Sequence, residues 1–139
     1  MIRENVREYD WCGYSYKYDQ NGNCIKEYEV YGDGTKRVVF DYKYDSQNKL
    51  IKKRYILTTH KQSCVNSDTE YTYDDGKLVY SKTISYSSYG NDTSKTNYYY
   101  DEFGRLVKQE CTSVDADGNV KSKYVNEYSK FVKIQAENK

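Results

Sequence analysis

Strand-forming residues alternate with polar ones along most of this chain, and short clusters rich in Asp, Asn and Gly interrupt them. The clearest example is residues 98–107, which read Tyr-Tyr-Tyr-Asp-Glu-Phe-Gly-Arg-Leu-Val. Tyr, Val, Ile and Thr on both sides of such a cluster are typical of two antiparallel strands joined by a turn. No stretch has apolar residues at the spacing of an amphipathic helix. The pattern therefore predicts an all-β protein.

The Tyr-Asp pattern is an internal repeat. Its tyrosine stands at positions 18, 44, 73 and 100, at intervals of 26, 29 and 27 residues. We predict four hairpin repeats and a degenerate fifth, near residues 14–31, 40–57, 69–86, 96–113 and 122–135. Together they form one domain over residues 1–139, an antiparallel meander of about nine or ten strands. The meander is expected to curl into an open sheet or half-barrel, with residues 58–68 as its longest connector.

The turn residues predict how the strands of each repeat pair. Gly22, Gly104 and Asn48 stand where a type I turn followed by a bulge needs a left-handed backbone. Asp75-Gly76 is typical of a two-residue turn, and the aspartate after each tyrosine is expected to accept hydrogen bonds from turn amides. The predicted partners of the repeat tyrosines are Tyr18 with Cys24, Tyr44 with Leu50, Tyr73 with Leu78, and Tyr100 with Leu106. If the pairing continues one residue at a time beyond the tyrosines, the next pairs are Lys17 with Ile25, Lys43 with Ile51, Thr72 with Val79, Tyr99 with Val107, and Tyr98 with Lys108.

Composition narrows the class of protein. The chain of 139 residues has 19 tyrosines, no proline, a net charge of +1 and a mean hydropathy of -1.08. The absence of a long apolar run excludes a transmembrane helix, and the near-zero charge predicts neither a membrane nor a nucleic-acid partner. Because the first residues lack the apolar stretch of a secretory signal, the expected location is cytoplasmic and the cysteines are expected to be free thiols.

The residue types that perform catalysis or bind metals form no convergent motif. The cysteines lack the close spacing of zinc ligands. They are Cys12, Cys24, Cys64 and Cys111. His60 and Cys64 share a connector, but four residues of loop do not bring two side chains into contact, and nothing suggests an acid to orient them. Residues 115–119 are similar to the start of a calcium loop without its final glutamate. We expect no enzyme activity, no cofactor and no metal.

Tyrosines outside the hairpin ladder are the candidate binding residues. Eight tyrosines belong to the predicted ladder, at positions 16, 18, 42, 44, 71, 73, 98 and 100. Tyrosine gives protein interfaces a large contact area at low entropic cost, so a protein is the expected partner and a glycan is an alternative. The candidate binding residues are Tyr86, Tyr89, Tyr99, Tyr55 and Tyr31.

The motif Tyr-x-Tyr-Asp-x-x-Gly-x-Leu-Val, matched best by residues 98–107, resembles the YD repeat of Rhs-type proteins and their relatives, including teneurins. The resemblance covers roughly residues 14–133. It implies an array of β-hairpins, which in that family forms shells around toxins or adhesive surfaces that contact sugars or proteins. This chain is too short for a closed shell and has no recognisable self-cleaving or toxin region.

The expected function is a non-catalytic protein-interaction module that presents a Tyr-rich β-sheet surface. One alternative is a small cytosolic inhibitor or immunity-type protein, from a phage or mobile element, that blocks one macromolecular partner. A second alternative is a glycan-binding repeat module, since a fold does not determine its function. A homodimer through a sheet face or edge is a further alternative for the partner.

Overall fold

The computed structural model describes residues 11–59 and 62–128. This part of the chain contains nine β-strands and no helix, which confirms the predicted all-β class. The strands are β1 (Trp11–Tyr18), β2 (Cys24–Tyr31), β3 (Lys36–Tyr44), β4 (Leu50–Thr59), β5 (Gln62–Asp74), β6 (Lys77–Ser85), β7 (Asp92–Tyr100), β8 (Leu106–Val114) and β9 (Val120–Glu127).

The nine strands form one antiparallel sheet whose spatial order is the order of the chain, from β1 to β9. This is the predicted meander. β9 covers part of the degenerate fifth repeat, and residues 129–135 of that repeat lie outside the described residues. The chain divides into two compact units, Met1–Asp68 and Thr69–Lys139, with the boundary inside β5.

A five-residue turn built around an aspartate joins several of the strands. In the turn between β1 and β2, the Asp19 N–H donates to the Asn23 carbonyl at 2.9 Å, and the Gly22 N–H donates to the Asp19 carbonyl at 3.1 Å. The Asp19 carboxylate accepts hydrogen bonds from the N–H groups of Asn21 and Asn23 at 2.9 Å. These bonds are the predicted role of the aspartate. The same bonds recur in residues 45–49, 101–105 and 115–119.

Left-handed backbone angles occur where the turn residues predict them. The φ angles of Gly22, Asn48 and Gly104 are 84°, 63° and 80°. Asp75 and Gly76, at 48° and 78°, have the two positive φ angles that define a type I′ turn. Short turns of these types therefore determine where the strand before each turn ends and where the next strand begins.

A β-bulge in three of the hairpins corrects the predicted ladders. The tyrosines pair as predicted, for example Tyr100 with Leu106, but the following residue is skipped. Lys17 therefore faces Lys26 and not Ile25. The same shift changes Lys43–Ile51 to Lys43–Lys52, Tyr99–Val107 to Tyr99–Lys108, and Tyr98–Lys108 to Tyr98–Gln109. The predicted pairs beyond the tyrosines are wrong because a bulge adds one residue to the second strand. The pairs of the third repeat stay predictions.

The long connector predicted for residues 58–68 is also wrong. β4 continues to Thr59 and β5 begins at Gln62. Polar cross-strand contacts hold this stretch, because the Thr58 and Ser63 hydroxyls lie 2.8 Å apart and Arg54 Nε lies 2.9 Å from Asp68 Oδ1. A strand can be this polar where neither of its faces is deeply buried.

Few side chains in the described part of the chain are buried. Cys111, at 6% exposed, and Ser81, at 8%, are the buried side chains there, and none of the large ones is fully buried. Most strand residues are half-buried, on both faces of the sheet. Tyrosine tolerates this environment because its ring packs while its hydroxyl stays hydrogen-bonded.

Hydrogen bonds between successive repeats supplement the ring packing. The Tyr44 hydroxyl donates to the Cys24 carbonyl at 2.8 Å, and the Tyr100 hydroxyl donates to the Leu78 carbonyl at 2.6 Å. Each of these bonds links the tyrosine of one Tyr-Asp motif to a residue close after the turn of the preceding motif. Together with cross-strand side-chain pairs, worth about 0.2–1 kcal/mol each, they stabilise a sheet that has little aliphatic core.

One glycine allows close approach of two turns in the second unit. Gly90 has φ 118°, and a Cβ atom added to it would lie 2.5 Å from Ala116 Cβ. Gly90→Ala is expected to lower the free energy of unfolding by about 2–4 kcal/mol, because backbone strain adds to the steric overlap. Urea denaturation followed by circular dichroism measures the loss.

The control for this substitution is Gly118→Ala. Gly118 has φ 86° but nothing within 4 Å of an added Cβ, so only the backbone strain of about 1–2 kcal/mol is expected. Combining Gly90→Ala with Ala116→Gly should return the loss to this smaller value. Equal losses for Gly90→Ala and Gly118→Ala would contradict the close approach.

Candidate binding surface

A row of side chains crosses β1, β2, β3 and β4 of the first unit on one face. Tyr16 of β1 pairs with Glu27 of β2, Glu27 pairs with Phe40 of β3, and Phe40 pairs with Tyr55 of β4. Directly paired residues share a face of the sheet, at the strand spacing of about 4.8 Å. We call Tyr16, Glu27, Phe40 and Tyr55 the aromatic row. It places one carboxylate among three aromatic rings.

The aromatic rings of this row are in contact with one another and with a cation. The Phe40 ring centroid lies 5.2 Å from that of Tyr55 and 6.0 Å from that of Tyr42, which is stacked beside it. Lys53 Nζ lies 4.5 Å from the Phe40 centroid, within the range of a cation–π interaction. The surface around Phe40 therefore already holds an ammonium group on an aromatic ring.

Glu27 changes the ionisation of the tyrosines next to it. Burial and then the Glu27 carboxylate raise the pKa of Tyr42 to about 12. The same two causes raise the pKa of Tyr16, whose hydroxyl also donates a hydrogen bond to Glu27. Within residues 11–59 and 62–128, no cationic side chain forms an ion pair with Glu27. Its negative charge is thus available to a ligand.

A second group of polar and aromatic side chains adjoins the row. The Tyr31 hydroxyl donates to the Glu29 carboxylate, and the Arg37 guanidinium lies 4.7 Å from the Tyr31 ring centroid. Glu29, Arg37 and Tyr55 line a small cavity of about 50 Å³. Two of the candidate tyrosines therefore belong to one surface of the first unit. Tyr55 lines the cavity, and Tyr31 is hydrogen-bonded to Glu29, which also lines it.

The other three candidates lie in the second unit and do not share one face. Tyr99 is 42% exposed, and Lys108 Nζ lies 5.1 Å from its ring centroid. It alternates with Tyr98 and Tyr100 and so lies on the opposite face of β7. Tyr86 and Tyr89 are in the segment between β6 and β7, where Tyr89 is 97% exposed. Their binding role stays a prediction.

Sequence reasoning missed most of the aromatic row. The sequence predicts Tyr16 as part of the hairpin ladder, and no motif distinguishes Phe40 or Glu27. The row follows from the observed cross-strand register, because the bulge after Leu50 brings Phe40 opposite Tyr55, and this bulge has no signal in the alternation of residues.

No protein-family model matches this chain, and no curated protein matches it. The resemblance to YD repeats therefore stays a prediction based on the motif. The structure agrees with that resemblance in the hairpins alone, which many proteins share.

The other candidate chemistry gives no site in the described residues. Cys24, Cys64 and Cys111 are free thiols, and the Cys64 thiol donates to the Leu57 carbonyl at 3.7 Å, while His60 lies outside the described residues. No group of three His, Cys, Asp or Glu side chains in residues 11–59 and 62–128 could hold a metal ion. Over the same residues, no helix has the length and apolar character needed to cross a membrane.

Proposed function

We propose that this protein is a non-catalytic interaction module whose aromatic row binds a protein segment that presents an arginine or lysine. The observation that supports the proposal most directly is Glu27. It is a carboxylate without an ion-pair partner among the described residues, and it lies between Tyr16 and Phe40 in the register of the sheet.

The aromatic composition of the row supports a protein ligand. Tyrosine and phenylalanine bury large areas at an interface and lose little conformational entropy, because each has two side-chain torsions. Tyr42 and Tyr55 extend the contact area on either side of Phe40. Tyrosine hydroxyls can form hydrogen bonds at the polar rim of an interface. Large aromatic residues of this kind often contribute most of the binding energy at protein interfaces.

The charges of the row favour a basic segment. A guanidinium or ammonium group near Glu27 would gain a charge-assisted hydrogen bond and would lie against the ring of Tyr16. Lys53, over Phe40, shows the same geometry within the chain. An acidic segment would instead place a second negative charge beside Glu27.

Short peptides test the proposal. Three probe peptides have the same sequence of alternating leucine and serine and differ only in the central residue, which is Arg, Gln or Glu. The arginine peptide is expected to bind about tenfold more tightly than the glutamate peptide, a difference of about 1.4 kcal/mol. Amide chemical shifts measured by NMR during titration should change first at Glu27, Phe40, Tyr42 and Tyr55.

A matched pair of variants tests the role of Glu27. Glu27→Gln should abolish the preference for arginine without altering the fold, because glutamine has nearly the same shape and the half-buried Glu27 forms no salt bridge within residues 11–59 and 62–128. Glu110→Gln makes the same change of charge in the second unit, next to Lys108, and should leave the preference intact. A preference that survives Glu27→Gln, or shift changes confined to other residues, would contradict the proposal.

A further inference from the structure

A second row of side chains, chemically different from the aromatic row, crosses the second unit. Thr83 of β6 pairs with Ser94 of β7, Ser94 pairs with Ser113 of β8, and Ser113 pairs with Ser122 of β9. Every residue in this row carries a hydroxyl group. Thr69 of β5 extends it, because its hydroxyl lies 2.8 Å from that of Thr83. We call these five residues the hydroxyl row.

Part of the hydroxyl row lines a cavity of about 340 Å³. Ser94, Ser113 and Ser122 contribute three hydroxyl groups, and Ser85 adds a fourth. Such a volume is at the lower end of the range for small-molecule sites, about 300–1,000 Å³. Its lining differs from that of most such sites because it is dominated by hydroxyl groups.

The charged groups of the cavity neutralise each other. Lys121 Nζ lies 2.7 Å from Asp92 Oδ2, and both side chains line the cavity. Their exposed fractions are 52% and 45%, so this ion pair contributes little to stability. The pair nevertheless supplies one strong acceptor and one strong donor at the wall of a site that has no net charge.

Most of the serine hydroxyls in the cavity are available to a ligand. Ser94 makes a contact of 3.4 Å between its Oγ and Cys111 Sγ. Within residues 69–128 the hydroxyls of Ser85, Ser113 and Ser122 make no hydrogen bond with the protein. A hydroxyl donates one hydrogen bond and accepts two, so the row offers both kinds of partner to the same ligand.

An aromatic ring borders the hydroxyl row on β9. Tyr124 lies two residues after Ser122 and therefore on the same face. Its side chain is 53% exposed. The exposed ring gives an apolar surface beside a polar cavity.

We propose that this cavity binds a neutral, polyhydroxylated ligand of the sugar class. Sugar hydroxyls are both donors and acceptors, like the serines, and Asp92 can accept from two of them. The apolar C–H groups of a sugar ring can rest against Tyr124. An anionic ligand would gain no net attraction from the neutral Lys121–Asp92 pair, and an apolar ligand would leave the serine hydroxyls without partners at a cost of about 1–3 kcal/mol each.

NMR titration of the whole chain with neutral sugars tests this proposal. The probes are glucose, galactose, mannose and N-acetylglucosamine, with inorganic phosphate and cyclohexanol as the anionic and apolar controls. At least one sugar is expected to shift the amide signals of Ser94, Ser113 and Ser122 in a saturable manner. The two controls should leave these signals unchanged. Failure of all four sugars, or an equal response to phosphate or cyclohexanol, would overturn the proposal.

Two substitutions in one strand locate the site. Ser113→Ala removes a hydroxyl from the cavity and should weaken sugar binding about fivefold to tenfold, the loss of about one hydrogen bond. Thr112→Val removes a hydroxyl from the opposite face of β8 and should leave the affinity unchanged. If Ser113→Ala binds as tightly as the original protein while its amide spectrum shows the native fold, the sugar does not occupy this cavity.

Discussion

Replacing both Tyr98 and Tyr100 with serine is expected to abolish the cooperative unfolding of the second unit. The Tyr98 hydroxyl lies 3.3 Å from that of Ser81, one of the buried residues, and Tyr100 bonds the Leu78 carbonyl. Lys77 Nζ also lies 5.4 Å from the Tyr100 ring centroid. Truncating a buried aromatic ring costs about 3–5 kcal/mol, and about half of that for a half-buried one. The two together cost about 3–5 kcal/mol, which approaches the lower end of the stability of a small domain, about 5–15 kcal/mol.

Two further variants separate the contribution of the tyrosine rings to stability from that of their hydroxyl groups. They also separate the contributions of the two faces of β7. The double change of Tyr98 and Tyr100 to phenylalanine keeps both rings and should cost only about 1–3 kcal/mol. Tyr99→Ser truncates the intervening ring, 42% exposed on the opposite face, and should cost less than either serine change at Tyr98 or Tyr100. Thermal unfolding monitored by circular dichroism measures all of them. A doubly serine-substituted protein that unfolds at the original temperature would show that these rings do not hold the sheet together.

Stability is expected to fall steeply above pH 10. Burial raises the pKa of Tyr42, to about 12, and is also the first cause of the raised pKa values of Tyr44 and Tyr71. An unfolded tyrosine loses its proton near pH 10, whereas folded Tyr42 keeps it until about pH 12. Between these values the unfolded state binds fewer protons, so the free energy of unfolding decreases as pH rises. Below pH 10 this contribution is fully present.

Urea denaturation at pH 8, 10, 11 and 12 tests this dependence. The midpoint urea concentration is expected to be unchanged from pH 8 to about pH 10 and then to fall. Tyr42→Phe should make the fall between pH 10 and 12 shallower, because one titrating group with a raised pKa is removed. Tyr89→Phe removes an almost fully exposed hydroxyl and serves as the control. A midpoint that is constant to pH 12 would contradict tyrosine burial as a source of stability.

The turns could be predicted from sequence because their chemistry is local. Gly22 and Asn48 adopt left-handed angles that few other residues tolerate, and Asp19 closes its turn through its own side chain. These preferences act within five residues, so no knowledge of distant contacts is needed. The same local rules predicted the meander, because each turn reverses the chain onto the strand before it.

The binding surface could not be predicted because it depends on the bulges. A ladder that continued without the bulge after Leu50 would place Phe40 opposite Arg54 and not Tyr55. The bulge is decided by strand twist and by packing across the sheet, which leave no signature in the alternation of residues. The hydroxyl row depends in the same way on the bulge after Leu106, which brings Ser94 opposite Ser113. The connector predicted for residues 58–68 is wrong because polar residues usually mark loops, whereas the described residues of this stretch form strands.

The order of the strands has a consequence for how the chain folds. Each strand pairs with strands adjacent to it in sequence, from β1 to β9, so no contact has to close a long loop. Contact order is therefore low for a β protein, and low contact order is associated with fast folding. The hairpin of β1 and β2 can form before the rest of the chain is available. The sheet can then grow one strand at a time as the chain leaves the ribosome.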